Sequence, residues 1–451
     1  MTMFKPAPTF CMAPWTHTYV SPQGERRLCC ASREEHKFQK QYIDATNDER
    51  YGKIKDNNTK ADDFNPVSLD EHWNSPYMCD IRKKLIAGEK IPQCDVCNEE
   101  ILSISPYKDW FNGQYKDKIQ EAFNSTDNTG KTTMPVISFD YRYSNLCNFK
   151  CRMCGEQLSS AWEVEKYKHN LWNEENQLFM RPDIRKKIKK FEIEVLKPEF
   201  KDIISKGIIE EIYWVGGEPL LYDVHWWALE EMINNGSAKN CYLRYNSNLS
   251  KINYKGKYLY DYLPQFKNWL MCASIDGTGD IAEFIRKGLV WDKWLYNFKE
   301  GLKITEPYPE AGHHKMKLDV TVTGPGMFSL KDLFDLSIEL NVEAITKIMF
   351  AFHPDTVFSA FSWPRHILDR KIDELLMYME PRAGSNQMSM INTLKDMKNR
   401  LVFAEEWPDT YQEAFVQGRN YQRQLDKIRN EKITMDDIYS KDKELYEWWT
   451  K

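Results

Sequence analysis

The chain has 451 residues, room for two or three domains, with 42% hydrophobic and 29% charged residues and a net charge of −5. That balance is ordinary for a globular enzyme and excludes the broad basic field that nucleic acid requires. No run approaches the ~20 apolar residues of a membrane span, Met1–Phe10 shows no apolar leader core, and eleven cysteines then point to a reducing cytoplasm and metal chemistry, not a disulfide framework.

The first 130 residues hold Cys11, Cys29, Cys30, Cys79, Cys94 and Cys97. Twelve residues separate Cys11 from Gly24 and four separate Gly24 from Cys29. Thr18 to Gly24 and the following Arg26-Arg27-Leu28 read as strand, Pro/Gly turn, strand. Such a hairpin brings Cys11 and Cys29 together. Cys94-Asp95-Val96-Cys97 is a tight CxxC knuckle after a helical run, Tyr77 to Ala87, that stops at Gly88. Two pairs of thiolates can close a metal site, and spacing alone leaves zinc and iron–sulfur both open. Cys30 and Cys79 read as small buried hydrophobes, Cys30 being the natural substitute should Cys29 not be a ligand. The Asn-, Asp- and Lys-rich stretch 44–63 reads as a surface loop, and 124–133 as a linker.

A β-rich run, Val136 to Tyr143, leads into Cys147-Asn148-Phe149-Lys150-Cys151-Arg152-Met153-Cys154-Gly155. The spacing is CxxxCxxC. Three thiolates are too few for a closed tetrahedral zinc site. A cubane held by three Cys keeps one iron open to a small molecule. Roughly sixty residues downstream a second β run, Ile209 to Val215, ends in Gly216-Gly217-Glu218-Pro219. Two glycines there let backbone approach a ligand without a Cβ clash.

CxxxCxxC after a first strand, followed by GGEP after a second, resembles the radical S-adenosylmethionine (SAM) superfamily. The resemblance implies that Cys147, Cys151 and Cys154 hold a 4Fe–4S cluster whose open iron chelates SAM. An electron from the cluster then cleaves SAM to a 5′-deoxyadenosyl radical that abstracts hydrogen from substrate. It implies SAM contacts from Gly216, Gly217, Glu218 and Pro219, from Asn246 at the end of a third strand, from Ser274 and Asp276 at the end of a fourth, and from Arg286, whose guanidinium suits a carboxylate. Met153 stands where the family usually has an aromatic; a thioether still packs on a ring. Cys-x(12)-Gly-x(4)-Cys with a later CxxC is similar to the twitch or SPASM-type auxiliary domain. That resemblance favours a second 4Fe–4S cluster on Cys11, Cys29, Cys94 and Cys97, in a domain that here precedes the core instead of following it.

From 135 onward the chain alternates β-rich and helical runs, with strands expected near 135–143, 209–215, 241–246, 269–275, 317–323 and 345–352. Helical patterns such as Leu221–Asn234 and Leu330–Leu340 lie between them. This alternation argues for parallel strands with crossover helices. The expected fold is α/β, a partial (β/α)6 TIM-like barrel over 131–360 with a small Cys-rich hairpin domain over 1–130. The candidate residues fall at strand C-terminal ends, where such barrels gather their chemistry. Cys241 and Cys272 read as core residues. His353, after the sixth strand, is a candidate acid–base or substrate contact. The long first crossover, 162–206, holds an amphipathic helical run, Ile184 to Phe191. After 360 the β signal fades, and Ile367–Met379, Met388–Leu401, Trp407–Lys427 and Met435–Trp449 give a helical extension over 361–451.

The function implied by the resemblance is SAM cleavage and hydrogen abstraction, by an oxidoreductase or an enzyme that modifies a peptide or small molecule. The auxiliary cluster would accept an electron or position the substrate. Peptide or protein substrates are the favoured class, on analogy. A flavodoxin- or ferredoxin-like reductant and protection from oxygen are implied, with no nucleic acid and no membrane. Two readings compete: the same enzyme with structural zinc in the N-terminal set, and a non-catalytic metal-binding scaffold or redox sensor that keeps the fold.

Overall fold

A computed structural model describes residues 6–32, 66–98, 107–172, 180–305, 314–349 and 356–451. His353 and the stretch 44–63 lie outside the described residues. In chain order the strands are β1 (His17–Val20), β2 (Arg26–Arg27), β3 (Ser138–Tyr141), β4 (Lys150–Cys151), β5 (Glu211–Trp214), β6 (Tyr242–Ser247), β7 (Asn253–Tyr254), β8 (Lys257–Tyr258), β9 (Asn268–Ser274), β10 (Arg286–Lys287), β11 (Lys315–Val322) and β12 (Ala344–Ile348). Eight of them form a largely parallel sheet in a mixed α/β chain. Two compact units divide the chain. The first comprises Met1–Cys147, Glu156–Arg244 and Asp261–Trp269; the second comprises Asn148–Gly155, Tyr245–Tyr260 and Leu270–Lys451.

In the first unit β1 and β2 pair antiparallel across a turn closed by Gly24 N–H donating to the Ser21 carbonyl at 2.8 Å, with Gly24 at φ 84°. β1 also pairs in parallel with β3, His17 opposite Ser138 through Val20 opposite Tyr141. β3 pairs in parallel with β5. The N-terminal hairpin is therefore continuous with the strand that leads to the cysteine loop. Arg26 fixes it there. Its buried guanidinium donates to Thr18 Oγ1 (3.0 Å), to the Tyr141 hydroxyl (2.9 Å) and to Glu199 (2.9 Å).

The first crossover is one long helix with a π turn: Pro182–Phe191, Glu192–Leu196, Lys197–Lys206. Ile184, Ile188 and Phe191 bury one face at helical spacing. Phe200 continues it into the rings of Phe139, Tyr141, Tyr143 and Trp214. The expected linker at 124–133 is instead a tight turn. The Asp127 carboxylate accepts from the N–H groups of Thr129 and Lys131, Thr126 bridges Thr132, and a Cβ on Gly130 would stand 2.1 Å from the Cys79 carbonyl oxygen. Its polar composition reflects turn chemistry, not looseness.

In the second unit β9, β11 and β12 run parallel, Asp319 opposite both Ser274 and Ile345. Even-numbered residues of β11 (Met316, Leu318, Val320, Val322) are buried. The other face carries Asn246 of β6, Ser274 of β9, Asp319 and Thr321 of β11 and Lys347 of β12, and it is half-exposed except at Asp319, Lys347 standing 47% open. Such a face is not the packed branched layer of a filled barrel. Cys272 lies on this half-buried face, a correction to its expected core position, while Cys241 is fully buried. The C-terminal extension is helical, with Arg365–Met379, Met388–Lys398 and Pro408–Arg429. The expected Met435–Trp449 helix is two, Met435–Tyr439 and Lys443–Thr450, because Asp442 caps the second by accepting from Leu445 N–H at 3.1 Å. Trp449 is buried against Tyr439 and Phe415, so the tail aromatics pack as expected. Among the described residues no helix is long and apolar enough to cross a membrane.

Candidate functional site

Four N-terminal cysteines line one pocket in the first unit. Cys11 precedes the Ala13–Thr16 turn and accepts from Ala13 N–H at 3.4 Å. Cys29 follows β2, Cys94 ends the Pro92–Cys94 turn, and Cys97 lies in the next helical turn. Leu28, Val96, Tyr107, Lys108 and Phe111 are among the other residues of its wall. Burial pushes the Cys11 and Cys29 thiols up, and proximity to their neighbours adds to it: Cys94 and Cys97 act on Cys11, and Cys30, Cys94 and Cys11 act on Cys29. Four thiols gathered in one pocket are a donor set that fits an iron–sulfur cluster. Among the described residues no three His, Cys, Asp or Glu side chains stand close enough to hold a single metal ion.

Cys30 points elsewhere. Its thiol, pushed up to about 11 chiefly by burial, meets Tyr107 and the charges of Asp140, Arg142 and Arg244. It does not line the pocket that Cys29 lines. Cys79 is buried in the Pro76–Ile86 helix, its S–H donating to the Asn74 carbonyl at 3.5 Å.

Still in the first unit, the turn after β5 is built against the residues entering the cysteine loop. Glu218 N–H donates to the Leu146 carbonyl at 2.7 Å. The buried Tyr222 hydroxyl accepts from Gly217 N–H at 3.0 Å and donates to the Ser144 carbonyl at 2.6 Å. The approach is so close that a Cβ on Gly217 would stand 2.4 Å from the Leu146 carbonyl oxygen. Glu218 braces the turn, its carboxylate accepting from Leu220 N–H at 3.1 Å ahead of Pro219. The Gly217 and Glu218 N–H groups are thus both engaged within the protein. Gly216 adopts φ 119°. Cys147 is half-buried, and its N–H donates to Ser160 Oγ at 3.2 Å.

In the second unit the rest of the loop is held by a short antiparallel ladder. Arg286 of β10 lies opposite Cys151 of β4, and Lys287 opposite Lys150. Cys151 is buried and Cys154 half-buried, joined by Cys154 N–H donating to the Cys151 carbonyl at 3.0 Å. Met153 is half-buried. Arg286 Nη1 reaches Cys151 Sγ at 3.9 Å and its Nε pairs with Asp276 Oδ2 at 2.6 Å. Burial pushes the Cys151 thiol up and the Arg286 charge pulls it back. Burial likewise raises the Asp276 carboxyl against the pull of Arg286. Asp276 is no helix cap: Thr278 holds that position, and Asp276 accepts from Thr321 N–H at 2.8 Å. Ser274 is half-buried in β9. Asn246 donates to Asp319 at 2.6 Å, and Lys347 donates to both Asp319 oxygens at 2.9 Å. Asn148 within the loop accepts from Asn248 Nδ2 at 3.1 Å and donates to Ser250 Oγ at 3.0 Å.

Sequence reasoning missed Tyr222, the Asp319–Lys347 pair and Arg152. For Arg152 a signal existed: a cation set between two cysteines of one loop needs a partner.

Residues 11–98 match the model of the SPASM family, an iron–sulfur cluster-binding domain. The matched segment contains Cys11, Cys29, Cys94 and Cys97. No curated protein matches the chain. Among solved structures, that of Streptococcus suis SuiB bound to S-adenosylmethionine is similar at 13% identity and a TM-score of 0.34, over 68% of this chain. The likeness spans 61% of the SuiB chain, less than two thirds of its length.

Proposed function

We propose that this chain is a radical SAM enzyme with a partial (β/α)6 core, which reductively cleaves SAM and abstracts hydrogen from a substrate. Cys147, Cys151 and Cys154 would hold the SAM-binding 4Fe–4S cluster; Cys11, Cys29, Cys94 and Cys97 would hold an auxiliary one. The carrying observation is the bond from Glu218 N–H to the Leu146 carbonyl. It joins GGEP to the residue before Cys147, two motifs that sequence alone could only set side by side.

When bound, the clusters and SAM supply the electron and the hydrogen-abstracting power; the protein binds, orients and shields. Tyr222 and Glu218 fix the turn against the residues that lead into Cys147. The Arg286 guanidinium favours the thiolate of Cys151, and Asp276 holds that guanidinium in place. Burial of Cys11 and Cys151 keeps water from the sulfurs. The substrate class in this reading is a peptide or protein, by analogy with other users of such auxiliary domains, and the electron donor a flavodoxin or ferredoxin.

Anaerobic reconstitution tests the reading. Wild-type protein is expected to hold about eight irons and to form 5′-deoxyadenosine from SAM when reduced. Cys147, Cys151 and Cys154 replaced together by Ala should leave about four irons and no cleavage. Four irons with one zinc in the wild type would instead assign the N-terminal set to zinc, and cleavage by the triple variant would overturn the loop's role.

A further inference from the structure

Arg152 stands between Cys151 and Met153 and is fully buried. Its Nε donates to the Phe284 carbonyl at 3.3 Å and its charge lies 3.9 Å from the centre of the Phe284 ring. Nη1 donates to Gln422 Oε1 at 2.8 Å; Nη2 donates to Asp426 Oδ1 at 2.5 Å and Glu431 Oε1 at 3.2 Å. Arg152 N–H donates to the Ile285 carbonyl at 2.8 Å. Gln422 and Asp426 face the loop from one stripe of the Pro408–Arg429 helix, and Glu431 follows its end. The second oxygen of Glu431 takes Lys287 at 2.7 Å, on the strand paired with Lys150-Cys151.

A buried arginine is costly, and replacing such a pair by apolar side chains is often neutral or stabilising. A core that needed only packing would not place one here. The guanidinium makes four hydrogen bonds, to the Gly279–Ile285 helix end, to the Pro408–Arg429 helix and to Glu431 just beyond it. A planar fork satisfied on several sides fixes orientation as well as position.

We propose that Arg152, with Gln422, Asp426 and Glu431, is a positioning latch by which the C-terminal helix sets the Cys151–Cys154 segment. Arg152 is the positioning residue; the cysteines do the ligation. The carboxylates also place negative charge beside the segment, so removing one raises the reduction potential of a cluster bound there. This inference rests on the proposed role of Cys151 and Cys154. Iron missing from the reconstituted wild type would sink that role without touching the latch.

The test uses the full chain in two forms. In the apoprotein, iodoacetamide labelling of individual cysteines is followed by mass spectrometry for wild type, R152M, R152K and D426N. Cys241, fully buried in the other unit, reports general unfolding. R152M is expected to speed Cys151 labelling by about tenfold or more, since a broken buried pair opens its segment. R152K should fall between, because an ammonium reaches Asp426 without the fork. Cys241 should keep its wild-type rate in all. In reconstituted D426N, the cluster that forms should show a more positive midpoint potential by EPR-monitored titration. Equal acceleration of Cys151 and Cys241, unchanged Cys151 labelling in R152M, or an unshifted potential in D426N would each overturn the latch.

Discussion

Gly217 gives the sharpest handle on the turn after β5. A Cβ there would lie 2.4 Å from the Leu146 carbonyl oxygen and 2.8 Å from two carbonyl carbons, those of Asn145 and Leu146. An ordinary contact begins near 3.4 Å, so Gly217→Ala asks backbone to move about 1 Å away from backbone. Neither side yields cheaply: Leu146 is tied by Glu218 N–H, and Ser144 by Tyr222. Overpacking of this kind costs about 1–3 kcal/mol, which for a unit of this size lowers Tm by about 2–12 °C. The displacement falls directly before Cys147, so SAM cleavage should fall more steeply than stability. A misplacement of about 1 Å can cost on the order of a hundredfold in rate. Gly155→Ala is the control, adjoining Cys154 with nothing within 4 Å of its Cβ. Melting curves and 5′-deoxyadenosine formation measure both effects. Wild-type Tm and cleavage in G217A would refute the reasoning, as would equal damage in G155A.

Cys29→Ser should strip the auxiliary iron and its visible absorbance, whereas Cys30→Ser should keep both, because only Cys29 lines the four-cysteine pocket. Asp276→Asn leaves the Arg286 charge buried without its counter-ion and should cost about 3–5 kcal/mol in urea unfolding. The Asp276→Asn, Arg286→Met pair should recover much of that, and a double variant as unstable as the sum of the singles would deny the pairing. His225 is fully buried between the Trp214 and Trp226 rings, and burial holds its pKa down to about 3. A folded pKa below the unfolded value near 6.5 stabilises fully above about pH 6.5 and is lost progressively as pH falls toward 3. His225→Phe should therefore flatten the acid limb of Tm against pH in the apoprotein, by up to about 1.4 kcal/mol per pH unit; an unchanged limb would contradict it.

What the sequence made legible was whatever repeats with a period or is fixed by a short spacing. The strands expected at 241–246, 269–275 and 317–323 lie at Tyr242–Ser247, Asn268–Ser274 and Lys315–Val322, because alternation and β-branched content act locally. The hairpin between Cys11 and Cys29 was legible from its Pro/Gly turn. Its parallel pairing with β3 was not, since partners 121 residues apart, such as His17 and Ser138, carry no mark of each other. The same distance blindness explains Arg152, whose polar side-chain partners lie 270 to 279 residues on. Cys272 was misjudged for another reason: a half-buried thiol on a polar face and a core thiol look alike in an apolar-rich strand.

Three fully or nearly buried guanidinium–carboxylate groups, Arg26–Glu199, Arg152–Asp426 and Arg286–Asp276, have no ready account as stability devices. Their positions supply one. Arg26 anchors the hairpin three residues before Cys29, Arg152 adjoins Cys151, and Arg286 reaches Cys151 Sγ itself. An apolar replacement would pack equally well but would leave the segment free to rotate about its contacts. The forks of Arg26 and Arg152, each with carbonyl, ring and carboxylate partners, do not rotate without breaking several charge-assisted bonds at once. In the proposed reading these three buried groups lie where sulfur position matters, and the apolar-isostere variants that should cost least in stability should cost most in iron retention.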